Sequence, residues 1–389
     1  MPKASEILRD RVVEAAWSLW TGLGVPGRLD FHGEVAVDPE PLVVLTAALG
    51  DADPRLRDEA TDWCIRYGAA LSGSRLKNLV AKRDERVRER FGGFAATIAA
   101  HSSIRWPGAT GAQRFKPRPR PRNGAFDRPS QVALRLRALV GVGARADVLL
   151  SFLAQPGIAF SAADLAVETN YSKRNIAQVL ESMRLGGFVV AFSVRNQIRY
   201  RLPGALVDQL IGQLSPMPRA FPRWTPIFRI LASGIELLKE IEKSRGSTRA
   251  IEARAFAAAH REDIRTSRLP PPRPVAPGSD FSSELVSWLL VAVDNLAAGN
   301  DPAEDRFKAR WVPKDGMTSE LAMARGHFRV WEAPGSRSSG ARWAIGLIGK
   351  SGDIDEGVRY ATAEDAKKSA ELKQLSLDRT GIAARIAAV

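Results

Sequence analysis

Residues 161–190 read SAADLAVETNYSKRNIAQVLESMRLGGFVV, and this stretch decides the fold of the chain around it. Ser161-Ala162-Ala163-Asp164 has the form of a capping box and opens a short helix with Leu165 and Ala166 toward a core. Thr169-Asn170-Tyr171 is a polar turn. Ser172 then caps a further helix, in which Ile176, Val179, Leu180 and Met183 recur at i, i+3, i+4 and i+7 as one apolar stripe. Gly186-Gly187 stops that helix. Phe188 to Val194 reads as a strand, Arg195-Asn196 as a turn, and Gln197 to Leu202 as a return strand with Ile198, Tyr200 and Leu202 on one face. Upstream, Ala146 to Ala154 forms a helix with Val148, Leu149, Phe152 and Leu153 inward, ended by Pro156-Gly157. The order is helix, helix, helix, strand, turn, strand.

With the stripe turned inward, Arg174 and Gln178 lie on the outer face of the third helix, Asn175 beside them, and Ser172 and Lys173 at its leading end. The order and lengths resemble the winged helix-turn-helix superfamily of bacterial transcription regulators, in particular its MarR-like and ArsR-like branch. The resemblance covers residues 143–204. It implies that the third helix enters the major groove of double-stranded DNA and that its N-terminal residues reach base edges. The side-chain types suit such contacts, since Arg donates bidentately to guanine, Asn or Gln to adenine, and Lys or Ser to phosphate. Arg195 and Asn196 would form the tip of the wing, with Arg199 and Arg201 adding phosphate contacts. Tyr171 is equally readable as a phosphate contact or a core residue. Glu181 faces outward and argues against deep insertion of the helix's second half. From Ser172 to Arg201 there are six basic residues and one acid, a bias that a protein-docking face would not need.

The whole chain leans the same way. It has 389 residues, 57 Lys and Arg against 43 Asp and Glu, and a formal net charge of +14. That excess favours a polyanionic partner, nucleic acid before a membrane surface. Hydrophobic residues make up 45 %, enough for real cores, so global disorder is excluded. The single cysteine, Cys64, excludes an internal disulfide and a cysteine-cluster zinc site. The longest apolar run, Leu285 to Val293, is far below the roughly 20 residues of a membrane span. The N-terminus passes directly into a charged amphipathic helix, so no signal peptide is expected and the location reads as cytoplasmic.

Five regions follow. Residues 1–100 read as a helical N-terminal domain, with helices from Glu6 to Trp20, from Asp38-Pro39, from Asp53-Pro54 and from Leu71 to Phe91, and a β-hairpin around Phe31 to Val37. Residues 101–142 read as a basic Pro/Arg-rich linker, where Arg114 to Arg122 alternates proline with base. Alternate prolines forbid a helix and favour an extended arm, from which Arg118, Arg120 and Arg122 would track a phosphate backbone; the plain alternative is a solvated tether. Residues 143–204 are the winged unit. Residues 221–300 read as helical again, either an interdomain scaffold and dimer interface or the core of one helical domain. Residues 325–389 read as a small β-β-β-α unit. The fold class is mainly α with small β elements, α+β and multidomain.

Other patterns fail on context. Gly22-Leu23-Gly24-Val25-Pro26-Gly27 matches a dinucleotide fingerprint, but a helix precedes it and a proline interrupts it. AIGLIGKS, residues 344–351, loosely matches a phosphate loop, but acids and glycines follow where a helix should start. His32, His101, His260 and His327 are scattered without metal-ligand spacing. Trp17, Trp20 and Trp63 read as core packing before a ligand cage. No catalytic residues, metal or cofactor are therefore expected. The leading expectation is a sequence-specific double-stranded DNA-binding protein, a dimeric transcriptional regulator. The alternative is an antitoxin-like or regulatory interaction protein whose flanking domains grip a protein partner. A third reading, a nucleic-acid enzyme of a mobile element, would need a carboxylate cluster or metal site.

Overall fold

The computed structural model describes residues 3–26, 35–118, 125–244, 247–272, 275 and 281–297, together with the backbone of five strands between 310 and 360. Among these residues the protein is mainly helical with small antiparallel sheets.

The first helices are α1 (Ala4–Gly22), α2 (Pro39–Leu49), α3 (Pro54–Tyr67), α4 (Gly73–Ala81) and α5 (Glu85–His101). Asp53, Ser72 and Asp84 each accept a backbone N–H three residues on, so α3, α4 and α5 all start on a side-chain cap. The single helix expected from Leu71 to Phe91 is thus two, because Asp84 caps a new start inside it. The expected hairpin around Phe31 to Val37 falls mostly outside the described residues; within them, Val35 bridges in parallel to Ala220.

After residue 101 the chain runs along the first helices. Thr110 N–H donates to Gly92 O, Gln113 N–H to Thr97 Oγ1 and Arg118 N–H to Asp62 Oδ1. Gly92 permits the approach: a Cβ there would stand 2.7 Å from Gly108 O. The basic linker expected over 101–142 is therefore anchored up to residue 118, and its last part is helix α6 (Val132–Val140).

The next elements are α7 (Ala144–Ala154), α8 (Ala162–Thr169), α9 (Lys173–Leu185), β1 (Val190–Val194), β2 (Gln197–Arg201) and α10 (Gly204–Leu214). β1 and β2 pair antiparallel, Val194 opposite Gln197, and the backbone of Phe160 exchanges both hydrogen bonds with Tyr200 on the other edge of β2. The strand begins at Val190 rather than Phe188. Gly187, at φ 74°, and Phe188 close a left-handed helix stop, with Phe188 N–H on Met183 O and Gly187 N–H on Arg184 O. One core runs through this unit, from Val148 and Phe152 to Ile176, Leu180, Tyr200 and Leu202, and it also takes in Val132 and Leu136 of α6 and Val207 and Leu214 of α10. It therefore reaches beyond residues 143–204 at both ends.

The remaining helices are α11 (Trp224–Ile241), α12 (Ser247–Ala259), α13 (Arg261–Ser267) and α14 (Phe281–Ala297). They do not stand apart from the first hundred residues. α1 packs on α11 and α14, α2 packs on α11, and a single core joins Leu8, Trp20 and Leu42 to Ile227, Leu231 and Leu289. Of the two readings of 221–300, the packing is that of a helical core shared with residues 1–100. Trp20 and Trp63 meet edge-to-face at 5.4 Å inside it, and their indole N–H groups bond Thr46 Oγ1 and Leu23 O, so these tryptophans are core.

The C-terminal strands are β3 (Arg310–Asp315), β4 (Thr318–Ala322), β5 (Phe328–Glu332), β6 (Trp343–Gly349) and β7 (Gly352–Tyr360), a five-stranded antiparallel meander. Three strands were expected here; two more precede them, in segments whose mixed polarity hid the alternation. The helix expected after Thr362 lies outside the described residues. β6 ends at Gly349 and β7 begins at Gly352, so among the described residues a strand, not a helix, follows the phosphate-loop-like stretch of residues 344–351. No helix among the described residues is long and apolar enough to cross a membrane.

Candidate nucleic-acid interface

Helix α9 is set in place by its stripe and its cap. Ile176 and Leu180 are wholly buried and Met183 nearly so; each contributes roughly 1.5–3 kcal/mol by leaving water. Ser172 Oγ accepts Asn175 N–H at 3.2 Å, so the serine expected to meet phosphate is already engaged as the helix cap. Tyr171 is buried, with its hydroxyl donating to Asp147 Oδ2 at 3.0 Å, which settles it as core. Burial pushes its pKa up, and the neighbouring Asp147 carboxylate adds to that.

The turn before α9 is gripped by the helical body. Asn170 takes the left-handed conformation, φ 60°, which asparagine tolerates better than most residues. Its amide donates to Thr225 Oγ1 on α11, its carbonyl accepts from Asn78 on α4, and the preceding Thr169 carbonyl accepts from Arg75 Nε at 2.8 Å. Three side chains of the body thus fix the entry to α9.

What α9 presents outward is uncommitted. Lys173, Arg174, Asn175 and Gln178 are all exposed, and none of their side chains has a hydrogen-bond or ion-pair partner among the described residues. Arg184, further along, pairs with Glu181 at 2.7 Å and the two charges answer each other. On the hairpin, Arg195, Asn196 and Arg201 are exposed and free of partners among the described residues. Arg199 is only part-free: Nη1 donates to Ala159 O at 3.0 Å and lies 3.8 Å from Asp164. Arg195 sits at φ 53° in the two-residue turn, a position where glycine would be cheaper.

Arg118, expected to track a phosphate backbone, pairs its guanidinium with the buried Glu59 carboxylate while its own side chain stays exposed. One expectation needs correction. Ile198 does not share the burial of Tyr200 and Leu202; it is 56 % exposed near the hairpin tip, beyond the reach of the core. Arg120 and Arg122 lie outside the described residues. Across the hairpin, Val190 and Phe192 stand opposite Arg201 and Arg199, so the outer face is apolar and basic together.

Sequence reading missed a buried charge network under this interface. Arg75 bonds Asp38 with both terminal nitrogens and Glu40 Oε2 at 3.0 Å. Arg137 holds Glu40 bidentately at 2.7 and 2.9 Å and reaches Asp147 at 2.9 Å. Ser72 N–H adds a bond to Glu40 at 2.7 Å. Three carboxylates thus answer two guanidiniums. Burial would raise Glu40, but the Arg137 and Arg75 guanidiniums outweigh it and hold the carboxyl down at about 2. The surplus negative charge falls on Asp38, which burial pushes up to about 6 against the pull of Arg75. Only the distant partners α2, α4, α6 and α7 bring these residues together, so no local spacing could have announced them.

Among the described residues no group of three or more His, Cys, Asp or Glu is arranged to hold a metal. Cys64 is buried, and burial pushes its thiol well up, away from nucleophilic use. No protein-family model, no curated protein and no solved structure matches the chain.

Proposed function

We propose that the protein is a sequence-specific double-stranded DNA-binding protein, a transcriptional regulator that works as a winged helix. α9 enters the major groove, Arg174, Asn175 and Gln178 read base edges, and Lys173 and the hairpin arginines Arg195, Arg199 and Arg201 neutralise phosphate. The observation that carries this reading is the contrast in commitment. The cationic and amide side chains at the start of α9 have no partner among the described residues, while the body's arginines nearby are held by carboxylates. The role goes with a cytoplasmic location and a homodimer on a two-fold symmetric site, and it needs neither cofactor nor catalysis. The test is fluorescence anisotropy on pooled random duplex over a salt series, wild type beside Arg174→Ala/Gln178→Ala. Selection of a sequence by wild type, lost in the double variant while a steep salt dependence remains, supports the reading. No binding by either protein at low salt sinks it.

One observation favours a second reading, a regulatory interaction protein. Leu185, Phe188, Val190, Phe192 and Ile198 leave large apolar area exposed on and beside the same hairpin, more than a lone DNA-binding wing requires. An acidic protein that co-purifies, and whose release needs Phe192→Lys rather than Arg174→Ala, would shift the weight to this reading.

A further inference from the structure

Among the described residues β1 has one neighbouring strand, β2, and its other edge is open. The register fixes which backbone groups face that edge. Tyr200 gives both its N–H and its carbonyl to Phe160, so it spends neither on β1, and its partner in register, Ala191, likewise turns its own pair away from β2. Antiparallel pairs alternate, so Ser193 does the same, while Val190, Phe192 and Val194 bond β2. The N–H and carbonyl of Ala191 and Ser193 therefore point outward, and no partner meets them among the described residues. Natural proteins guard such edges with a charge, a proline or a bulge. β1, VAFSV, carries none of these.

The residues of this edge fit a copy of themselves. Val190, Ala191, Phe192, Ser193 and Val194 alternate large and small in the same order from either end. Turned about a two-fold axis through Phe192, the strand pairs antiparallel with a second β1. Ala191 then exchanges hydrogen bonds with Ser193 of the second copy, and Ser193 with Ala191 of the second copy. Phe192 stands opposite its own counterpart, and Val190 opposite Val194, in the non-bonded positions where side chains approach most closely. Val190, Phe192 and Val194 share one face and are exposed, so the pairing covers apolar surface. Charge permits it as well. β1 has no charged residue, and Arg199 and Arg201 lie on β2. With strands about 4.8 Å apart, the two β2 strands would lie about 14 Å apart, beyond the roughly 8 Å screening length of physiological salt. An acidic strand, the other natural guest, would find no cation on the strand it pairs with.

We propose that β1 is a self-pairing edge through which two copies of the chain join, β1 against β1, into one antiparallel sheet with the arginine-bearing β2 strands outermost. The contact is short beside the roughly 1,600 Å² of a standard interface, so the dimer dissociates on dilution. It gives the proposed homodimer its interface and rests on that reading for the dimer alone, since no DNA contact enters it.

The experiment follows the mass of the full chain without DNA by sedimentation equilibrium, from micromolar to near-millimolar concentration. Wild type is expected to pass from monomer to dimer. Ser193→Pro removes an N–H that the monomer leaves unused, at an edge where proline is tolerated. Phe192→Lys sets two like charges opposite each other on the axis, and each variant is expected to weaken the dimer at least about tenfold. The melting temperature of either variant in dilute solution is expected to stay near that of wild type. A cysteine on the axis tests the register itself, because residues of a non-bonded pair have Cα atoms about 4.5 Å apart, within disulfide reach. Phe192→Cys is expected to form a covalent dimer on mild oxidation. Ile198→Cys, exposed on β2 away from the axis, is expected not to, and the native Cys64 is buried. A chain that stays monomeric throughout overturns the proposal. So does a dimer that Ser193→Pro and Phe192→Lys leave intact, or Ile198→Cys cross-linking as readily as Phe192→Cys. A monomer that still selects duplex DNA would break this interface alone; a β1-paired dimer that ignores duplex would break the DNA reading alone.

Discussion

Two regions of the molecule use arginine in opposite ways. Arg75 and Arg137 are buried under the junction of body and winged unit, and nearly every donor they carry has a carboxylate or carbonyl. Arg174, on α9, is exposed and bonds nothing among the described residues. A buried guanidinium without partners is costly, so burial forces commitment; an exposed one stays free for a ligand. Position, not residue type, separates an arginine that builds the fold from one that is open to recognition. The strongest way to sharpen this comparison is to break the buried side. Glu40→Gln removes the one carboxylate shared by both arginines and is expected to destabilise the chain by about 3–5 kcal/mol, read from urea midpoints. A cost under about 1 kcal/mol would mean that the network is not the element joining the two units.

The surplus charge makes a second, smaller test on the same network. Asp38 is held above its ordinary 3.8, at about 6, so the folded state binds its proton more tightly than the unfolded chain does. Its contribution to stability is therefore full at low pH and declines as pH rises from about 4 to about 6. Glu40 runs the other way: its contribution is present above its ordinary 4.5 and lost as pH falls toward about 2. Asp38→Asn removes the first dependence and keeps the second. The stability advantage of wild type over Asp38→Asn is expected to shrink by roughly 1–3 kcal/mol between pH 4 and pH 6 and to stay level above that. A gap that widens over the window would contradict the assignment of the surplus charge to Asp38.

The same contrast explains which parts were legible in the sequence. α8 and α9 were readable because a capping box, an apolar stripe and a glycine stop all lie within a few residues of one another. Arg174 and Gln178 were placed correctly on the outer face by helical period alone. The ion pair of Arg118 was hidden because its partner, Glu59, is far away in the chain, and no composition of an arm reveals what it lies against. The union of residues 1–100 with 221–300 was invisible for the same reason: an apolar face such as Ile227, Leu231 and Leu238 advertises burial without naming its cover. Asn78 and Thr225, which grip the turn before α9, are ordinary polar residues until the fold brings Asn170 between them.

On the exposed side, two single changes separate recognition from attraction. Arg174→Ala is expected to cost about 1–3 kcal/mol on the selected sequence and far less on random duplex. Arg201→Ala, on the hairpin, is expected to weaken both by a similar factor and to reduce the salt slope by about one counterion. Anisotropy on both duplexes over a salt series reads the two effects together. If Arg174→Ala behaved like Arg201→Ala, α9 would contribute charge without readout.

The smallest expected effect concerns Arg195. Its φ of 53° lies in the left-handed region, where a side chain carries a penalty that glycine escapes. A turn selected for stability alone would hold glycine or asparagine there. Arg195→Gly is therefore expected to leave the melting temperature unchanged or to raise it by an amount equivalent to under about 1 kcal/mol. The same variant should weaken binding to duplex DNA at low salt. Those opposite signs are what an arginine kept at local conformational cost for a contact outside the protein would give. If the variant instead lost stability and bound DNA as wild type does, Arg195 would belong with Arg137, as an arginine whose partner is the protein itself.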